Sequence, residues 1–296
     1  MHLWGQNPTL IVNFKPMFEK IKLFSSAILL VGIIGACAGT DEPEDNVIEE
    51  QPIHTFVAAG HAYGNPDTYT SSVYPPLLNK LDSLIQVRPI DQLILMGDVV
   101  AHPTEENWET VRHELDSLEI AEWNIAPGNH DISPYMDEHI QPVKYMALQR
   151  ANSLFLLLNT TRAGWTVDSV QAHFIDTTLA NATNYDQIFV FTHQLWWEKN
   201  PPTHFELDSL RPNSFALFDG PTDFWQDAFP YFEDLEQEVY FFAGDMGCYF
   251  GLPGYYEDHF ENYHFYGSGM GGAVEDNLIY GQLFQDGSVK IERVDF

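Results

Sequence analysis

The chain has 296 residues, with 13 Lys+Arg against 43 Asp+Glu and a formal charge of -30. That field repels polyanions and argues against a nucleic-acid partner, while 45% hydrophobic and only 19% charged residues exclude intrinsic disorder. Two cysteines, Cys37 and Cys248, cannot build a disulfide framework, and the length fits one large domain or two small ones.

The long apolar run near the N-terminus, Leu23–Ala36, follows Lys15, Lys20 and Lys22 and closes on Ile34-Gly35-Ala36-Cys37. It is shorter than the roughly 20 apolar residues a spanning helix needs. Its basic flank and small-residue exit read instead as a signal peptide over residues 1–36, with 1–16 an upstream extension if Met17 is the true start. The stretch before Cys37 resembles a bacterial lipobox, which implies an exported protein of the cell envelope, anchored to the membrane by lipid on Cys37. A buried N-terminal helix is the alternative, and the acidic, aperiodic stretch after it fits a tether over 37–51 better. The folded domain is expected over 52–296.

From Pro52 onward short apolar runs alternate with amphipathic segments, the pattern of an α/β layered domain. Strands are expected at His54–Ala59, Gln92–Met96, Trp123–Ala126, Leu154–Leu158, Ile188–Phe191 and Val239–Ala243. A helix over Pro76–Val87 places Leu77, Leu78, Leu81, Leu84 and Ile85 on one face. Thr104 caps a second helix that carries Glu105 and Glu106 in its first turn and Trp108, Val111, Leu115 and Leu118 inward. Ser169–Leu179 forms a third. The C-terminal part holds short strands at Tyr263–Tyr266, Leu278–Phe284 and Val289–Val294, the last two joined by the turn Gln285-Asp286-Gly287. Residues 194–230 read as an insertion rich in aromatics, among them Trp196, Trp197, Phe205, Phe218 and Trp225. It either caps a site or simply covers a sheet.

Polar residues follow these apolar runs in a regular order. His61 follows Ala59-Gly60, Asp98 follows Met96-Gly97, and Asn129, His130 and Asp131 follow Pro127-Gly128. His193 follows Phe191-Thr192, and Asp245 follows Ala243-Gly244. In an open α/β sheet the C-terminal strand ends share one edge, where ligands collect, and a glycine just before the polar residue lets the backbone turn tightly. Carboxylate, imidazole and amide donors without thiolate suit Mn, Fe, Zn or Mg better than a structural Cys-type zinc site. His102 reads as the start of the next loop rather than as a ligand. Gly267-Ser268-Gly269-Met270-Gly271-Gly272 reads as a tight turn.

These residues resemble the calcineurin-like metallophosphoesterase superfamily over about His54 to Phe296. The most specific element is Gly128-Asn129-His130-Asp131, matching the family's Gly-Asn-His-Asp/Glu box; Gly97-Asp98 and His193 match two further ligand boxes. The resemblance implies an α/β fold, a four-layer α/β/β/α sandwich with two central mixed sheets, and metal-dependent hydrolysis of phosphomonoesters or phosphodiesters. It implies Asp98 as a metal bridge, Asn129 and His193 as ligands of the second ion, and His130 as a non-ligand that Asp131 positions either to donate a proton to the leaving oxygen or to steady the transition state, with hydroxide attacking phosphorus.

The first and last boxes depart from the family. Asp-x-His reads Ala59-Gly60-His61 here, and Gly-His-x-His reads Gly244-Asp245-Met246-Gly247. His61 is thus kept without its aspartate, and Asp245 stands as an oxygen ligand where the family has histidine. One or two ions are expected on His61, Asp98, Asn129, His193 and Asp245, with His130 and Asp131 catalytic and a small-molecule or glycan-linked phosphate ester as substrate. The competing readings are a degenerate, non-catalytic lipoprotein binding a phosphorylated or sugar ligand, and a hydrolase of another ester. Retention of His130 and Asp131 favours catalysis, since a binding module has no use for a proton donor. Arg211 is the candidate phosphate-gripping cation within the insertion.

Overall fold

The computed structural model describes residues 50–67, 71–141, 144–161, 167–198, 201, 224–249, 251–272 and 275–296. The expected leader, Cys37, most of the expected tether, Phe205, Arg211 and Phe218 lie outside the described residues. In chain order the elements are β1 (His54–Gly60), α1 (Pro75–Ile85), β2 (Gln92–Met96), α2 (Glu105–Asp116), β3 (Glu122–Ile125), β4 (Met146–Arg150) and β5 (Ser153–Leu157). There follow α3 (Ser169–Leu179), β6 (Gln187–Thr192), α4 (Phe224–Asp227), β7 (Glu238–Ala243), β8 (Tyr255–Phe260), β9 (Tyr263–Ser268), β10 (Asn277–Leu283) and β11 (Val289–Asp295).

The continuous apolar runs of β1, β2, β5 and β6 are buried along their whole length, because such a run has no face to give to water. Two mixed sheets result. One has the order β11-β10-β1-β2-β3, the other β4-β5-β6-β7-β9-β8. Parallel pairing of β1, β2 and β3 leaves α1 and α2 as crossovers on the outer face, where Leu77, Leu81, Trp108 and Val111 pack on Val57, Leu93 and Leu95. Thr104 caps α2 by accepting the Asn107 backbone N–H at 3.2 Å. On the far side Ile175 and Leu179 of α3, with Trp196, Trp197, Phe224 and Trp225, cover Leu156, Val190 and Phe241. The described aromatics of the insertion therefore cover a sheet.

Between the sheets lies a third apolar layer built around Phe56, whose ring meets Phe155, Phe189, Phe191 and Phe242 edge-on at 5.3–5.9 Å. Helix, sheet, sheet and helix layers are thus all present. Two strands have no counterpart in the apolar pattern, β4 and β8, and both are antiparallel edges of the second sheet. Their alternate residues face solvent, so neither reads as an apolar run. Among the described residues no helix is long and apolar enough to cross a membrane.

Candidate functional site

The C-terminal ends of β1, β2, β6 and β7 meet at one edge, where the two sheets nearly touch. A Cβ at Gly60 would lie 2.3 Å from the Gly244 Cα, and one at Gly244 would lie 1.9 Å from the Met96 carbonyl oxygen. Side chains at these positions would force the sheets apart. Immediately beyond, His61 and Asp98 take left-handed φ values of 56° and 50°, a conformation that costs a non-glycine residue roughly 1–3 kcal/mol and clusters at functional sites.

Four buried side chains converge there: His61, Asp98, His193 and Asp245, each no more than 3% exposed. The tautomers follow from the backbone. His61 Nδ1–H donates to the Gly64 carbonyl at 3.1 Å, and His193 Nδ1–H donates to the Met96 carbonyl at 2.9 Å. Each ring therefore presents a bare Nε2 lone pair. His61 Nε2 faces Asp98 Oδ2 at 3.4 Å, while His193 Nε2 faces Asp98 Oδ1 at 3.3 Å and Asp245 Oδ1 at 3.9 Å. Neither His193 Nε2 nor Asp245 Oδ2 has a hydrogen-bond partner.

Lone pairs facing lone pairs in a buried site repel unless a cation or a proton lies between them. Without a metal ion the proton does this. Burial opposes charge on His193, yet Asp98 and then Asp245 outweigh it and push its pKa up to about 10. Burial lowers that of His61. Burial works against ionised Asp98 as well, but His193 and then His61 hold it well below the usual carboxylate range. Among the described residues no three His, Cys, Asp or Glu side chains close around a point as they stand; His61 and His193 each face Asp98, and Asp245 faces His193. Two imidazole nitrogens and two carboxylates are donors that suit a borderline divalent ion such as Zn, Mn or Fe, and such an ion removes the repulsion.

His130 and Asp131 stand beside these pairs. The His130 backbone N–H donates to Asp98 Oδ1 at 3.1 Å, and its Nδ1–H donates to the Ala101 carbonyl at 2.9 Å. The bond that orients this half-buried ring therefore comes from Ala101. Asp131, fully buried, spends its carboxylate on backbone amides: Oδ1 accepts from Val99 at 2.7 Å and Val100 at 3.2 Å, and Oδ2 accepts from Gly128 at 2.8 Å. Its position is that of a brace between the loops after β2 and β3. Burial and the nearby Asp98 push its pKa up to about 7.

Asn129 is exposed at the tip of the same turn, outside the buried group. His102 is also exposed, and its carbonyl accepts from Thr104 N–H and Asn107 Nδ2, so it begins the cap of α2. In the glycine-rich segment, the Asp276 carboxylate accepts the Gly271 and Gly272 N–H groups at 3.0 and 2.9 Å and the Tyr74 hydroxyl at 3.0 Å, while Met270 bridges to Gly247, so the turn is tied to neighbouring loops. Sequence reasoning passed over Tyr63 and Cys248, which line the site from two different loops.

A model of the calcineurin-like phosphoesterase family matches residues 53–230. A 3',5'-cyclic-nucleotide phosphodiesterase of Nostoc sp. is 32% identical over 114 residues, which cover 37% of this chain and 40% of the relative. The match thus spans about two fifths of that relative's length. Among solved structures, Vps29 of Entamoeba histolytica complexed with zinc is similar at 12% identity over 81% of this chain and 98% of its own, with a TM-score of 0.35. Vps29 of Chaetomium thermophilum is similar at 11% identity over 83% and 98%, with a TM-score of 0.34. With more than half its residues matched to that family model, from the start of β1 through the loops that carry Asp98, His130 and His193, the chain belongs to the calcineurin-like phosphoesterase family.

Proposed function

We propose that this chain hydrolyses phosphate monoesters or diesters using one or two divalent ions (Mn, Fe, Zn or Mg) held by His61, Asp98, His193 and Asp245, with Asn129 a further amide ligand from the exposed side. The observation that carries this reading is the pair of imidazole lone pairs fixed by backbone carbonyls towards one shared carboxylate. An ion bound there supplies a Lewis acid for phosphoryl oxygen and brings the pKa of a water towards neutrality.

The rest of the chemistry belongs to the side chains. With Nδ1–H committed to Ala101, Nε2 is the atom of His130 that exchanges a proton with the leaving oxygen. Asp131 keeps the loops of Asp98 and His130 in register through their amides. Met96 and Gly64 hold the two ligand imidazoles in one tautomer. We further propose that the domain is exported and anchored through Cys37, on the strength of the Leu23–Cys37 pattern, and so meets small-molecule or glycan-linked esters in the cell envelope.

The test uses purified protein, stripped with chelator and reloaded with each metal in turn. Its substrates are an aryl phosphate monoester, an aryl diester and, because of the relative's name, a 3',5'-cyclic nucleotide. Turnover is expected only with metal present, and His130→Ala lowers it about a hundredfold while metal content stays the same. Absence of turnover on every ester with all four metals defeats the hydrolytic reading. Full turnover by His130→Ala removes that residue from the reaction.

A further inference from the structure

We propose that Thr160 and Gln194 form a clamp that positions His193 and, through it, Asp245 for a divalent ion, a role that rests on His193 being the metal ligand proposed above. Strands β5 and β6 run parallel, so the residues beyond their C-terminal ends meet at the site edge. Thr160 and Gln194 are both fully buried there. One hydroxyl serves Gln194 twice: Thr160 Oγ1–H donates to Gln194 Oε1, and Thr160 Oγ1 accepts the Gln194 backbone N–H at 3.3 Å. The Gln194 carbonyl in turn accepts from the Thr192 hydroxyl at 3.1 Å.

His193, between Thr192 and Gln194, is held at two other points. Its Nδ1–H donates to the Met96 carbonyl at 2.9 Å, and its own carbonyl accepts the N–H groups of Gly244 at 2.9 Å and Asp245 at 2.8 Å. Two points leave rotation about the line that joins them, and the clamp on the next residue removes it. The shared carbonyl carries the same constraint to Asp245. A plain strand-end cap accounts for Thr160, whose hydroxyl satisfies a buried amide, but not for Gln194. Among the described residues Gln194 Nε2 has no hydrogen-bond partner, a buried donor left at a cost that a leucine of similar size avoids. What the glutamine adds is the second attachment to Thr160, which fixes direction as well as height.

The test compares Thr160→Val, Gln194→Met, the double variant and the conservative Thr160→Ser in the full chain, stripped of metal. Three readouts are taken: zinc affinity by calorimetry, the histidine ring resonances by NMR, and stability in urea. Each of Thr160→Val and Gln194→Met is expected to weaken zinc binding about tenfold. The double variant should fall no further than the worse single one, and Thr160→Ser should stay within about twofold of wild type. The His193 ring signals move in both single variants while those of His264, on β9, stay. Zinc affinity that holds while stability falls shows a purely structural role and overturns the proposal. Additive losses, His193 signals that do not move, or a loss in Thr160→Ser as large as that in Thr160→Val overturn it too. If wild type binds no zinc, the ligand reading fails while the ring signals still decide whether the clamp positions His193. If Thr160→Val does not fold, Gln194→Met breaks the same contact from its other end.

Discussion

Replacing Asp131 with asparagine separates a brace from a partner of His130. The carboxylate serves three buried amides, two on Oδ1 and one on Oδ2, whereas asparagine offers one oxygen and one NH2. With its oxygen kept on the Val99 side, the NH2 meets the Gly128 N–H, and a buried donor without an acceptor costs about 1–3 kcal/mol. The two bonds that survive become neutral instead of charge-assisted, a further loss of roughly 1 kcal/mol each. Removing a charge that burial and Asp98 both oppose returns part of this, leaving a net destabilisation of about 2–4 kcal/mol. Urea unfolding read at constant m-value measures it directly, and each kcal/mol lowers the unfolding temperature by about 2–4 °C in a domain of this size. A variant within about 0.5 kcal/mol of wild type that has nonetheless lost turnover refutes the brace and restores Asp131 as the partner of His130.

Two further outcomes follow from the same geometry. In metal-free protein burial is overcome, so that His193 is pushed up to about 10 and Asp98 is held low; their joint contribution is complete from roughly pH 4 to 6.5 and is lost as pH rises through about 10. Since zinc needs the neutral ring, the rise in unfolding temperature on adding zinc grows from pH 6 to pH 9, and a rise that shrinks over this range contradicts the assignment. Gly97→Ala puts a Cβ 2.5 Å from the His193 ring on a residue with φ of 76°, so zinc affinity by calorimetry falls at least about tenfold; an unchanged affinity shows that His193 is not a ligand.

The layers and the site edge were legible in the sequence because both depend on strands buried on two faces, and such strands write themselves as unbroken apolar runs. Gln92–Met96 and Ser169–Leu179 match their elements end to end. The edges β4 and β8 escaped because each gives one face to water and so lacks an apolar run. In the site, the glycine before His61, Asp98 and Asp245 marked the close approach of strand ends, and these three do come together with His193. The orienting contacts were not legible. The Met96, Gly64 and Ala101 carbonyls that fix three imidazoles belong to the backbone, which any residue supplies, and the engagement of Asp131 with amides depends on loop paths that spacing does not record.

The pairing of β1 also governs how the polypeptide can be assembled. One flank of β1 is satisfied early by β2, but the other waits for β10, with His54 opposite Leu283. A chain emerging from the ribosome or a translocation pore therefore carries an open strand flank at the centre of the first sheet until β10 has been made. Frameshifts or nicks that remove β10 should thus yield sticky, protease-sensitive fragments rather than a shortened but serviceable protein, and refolding should be slow, limited by the search that brings β1 and β10 together across the intervening chain.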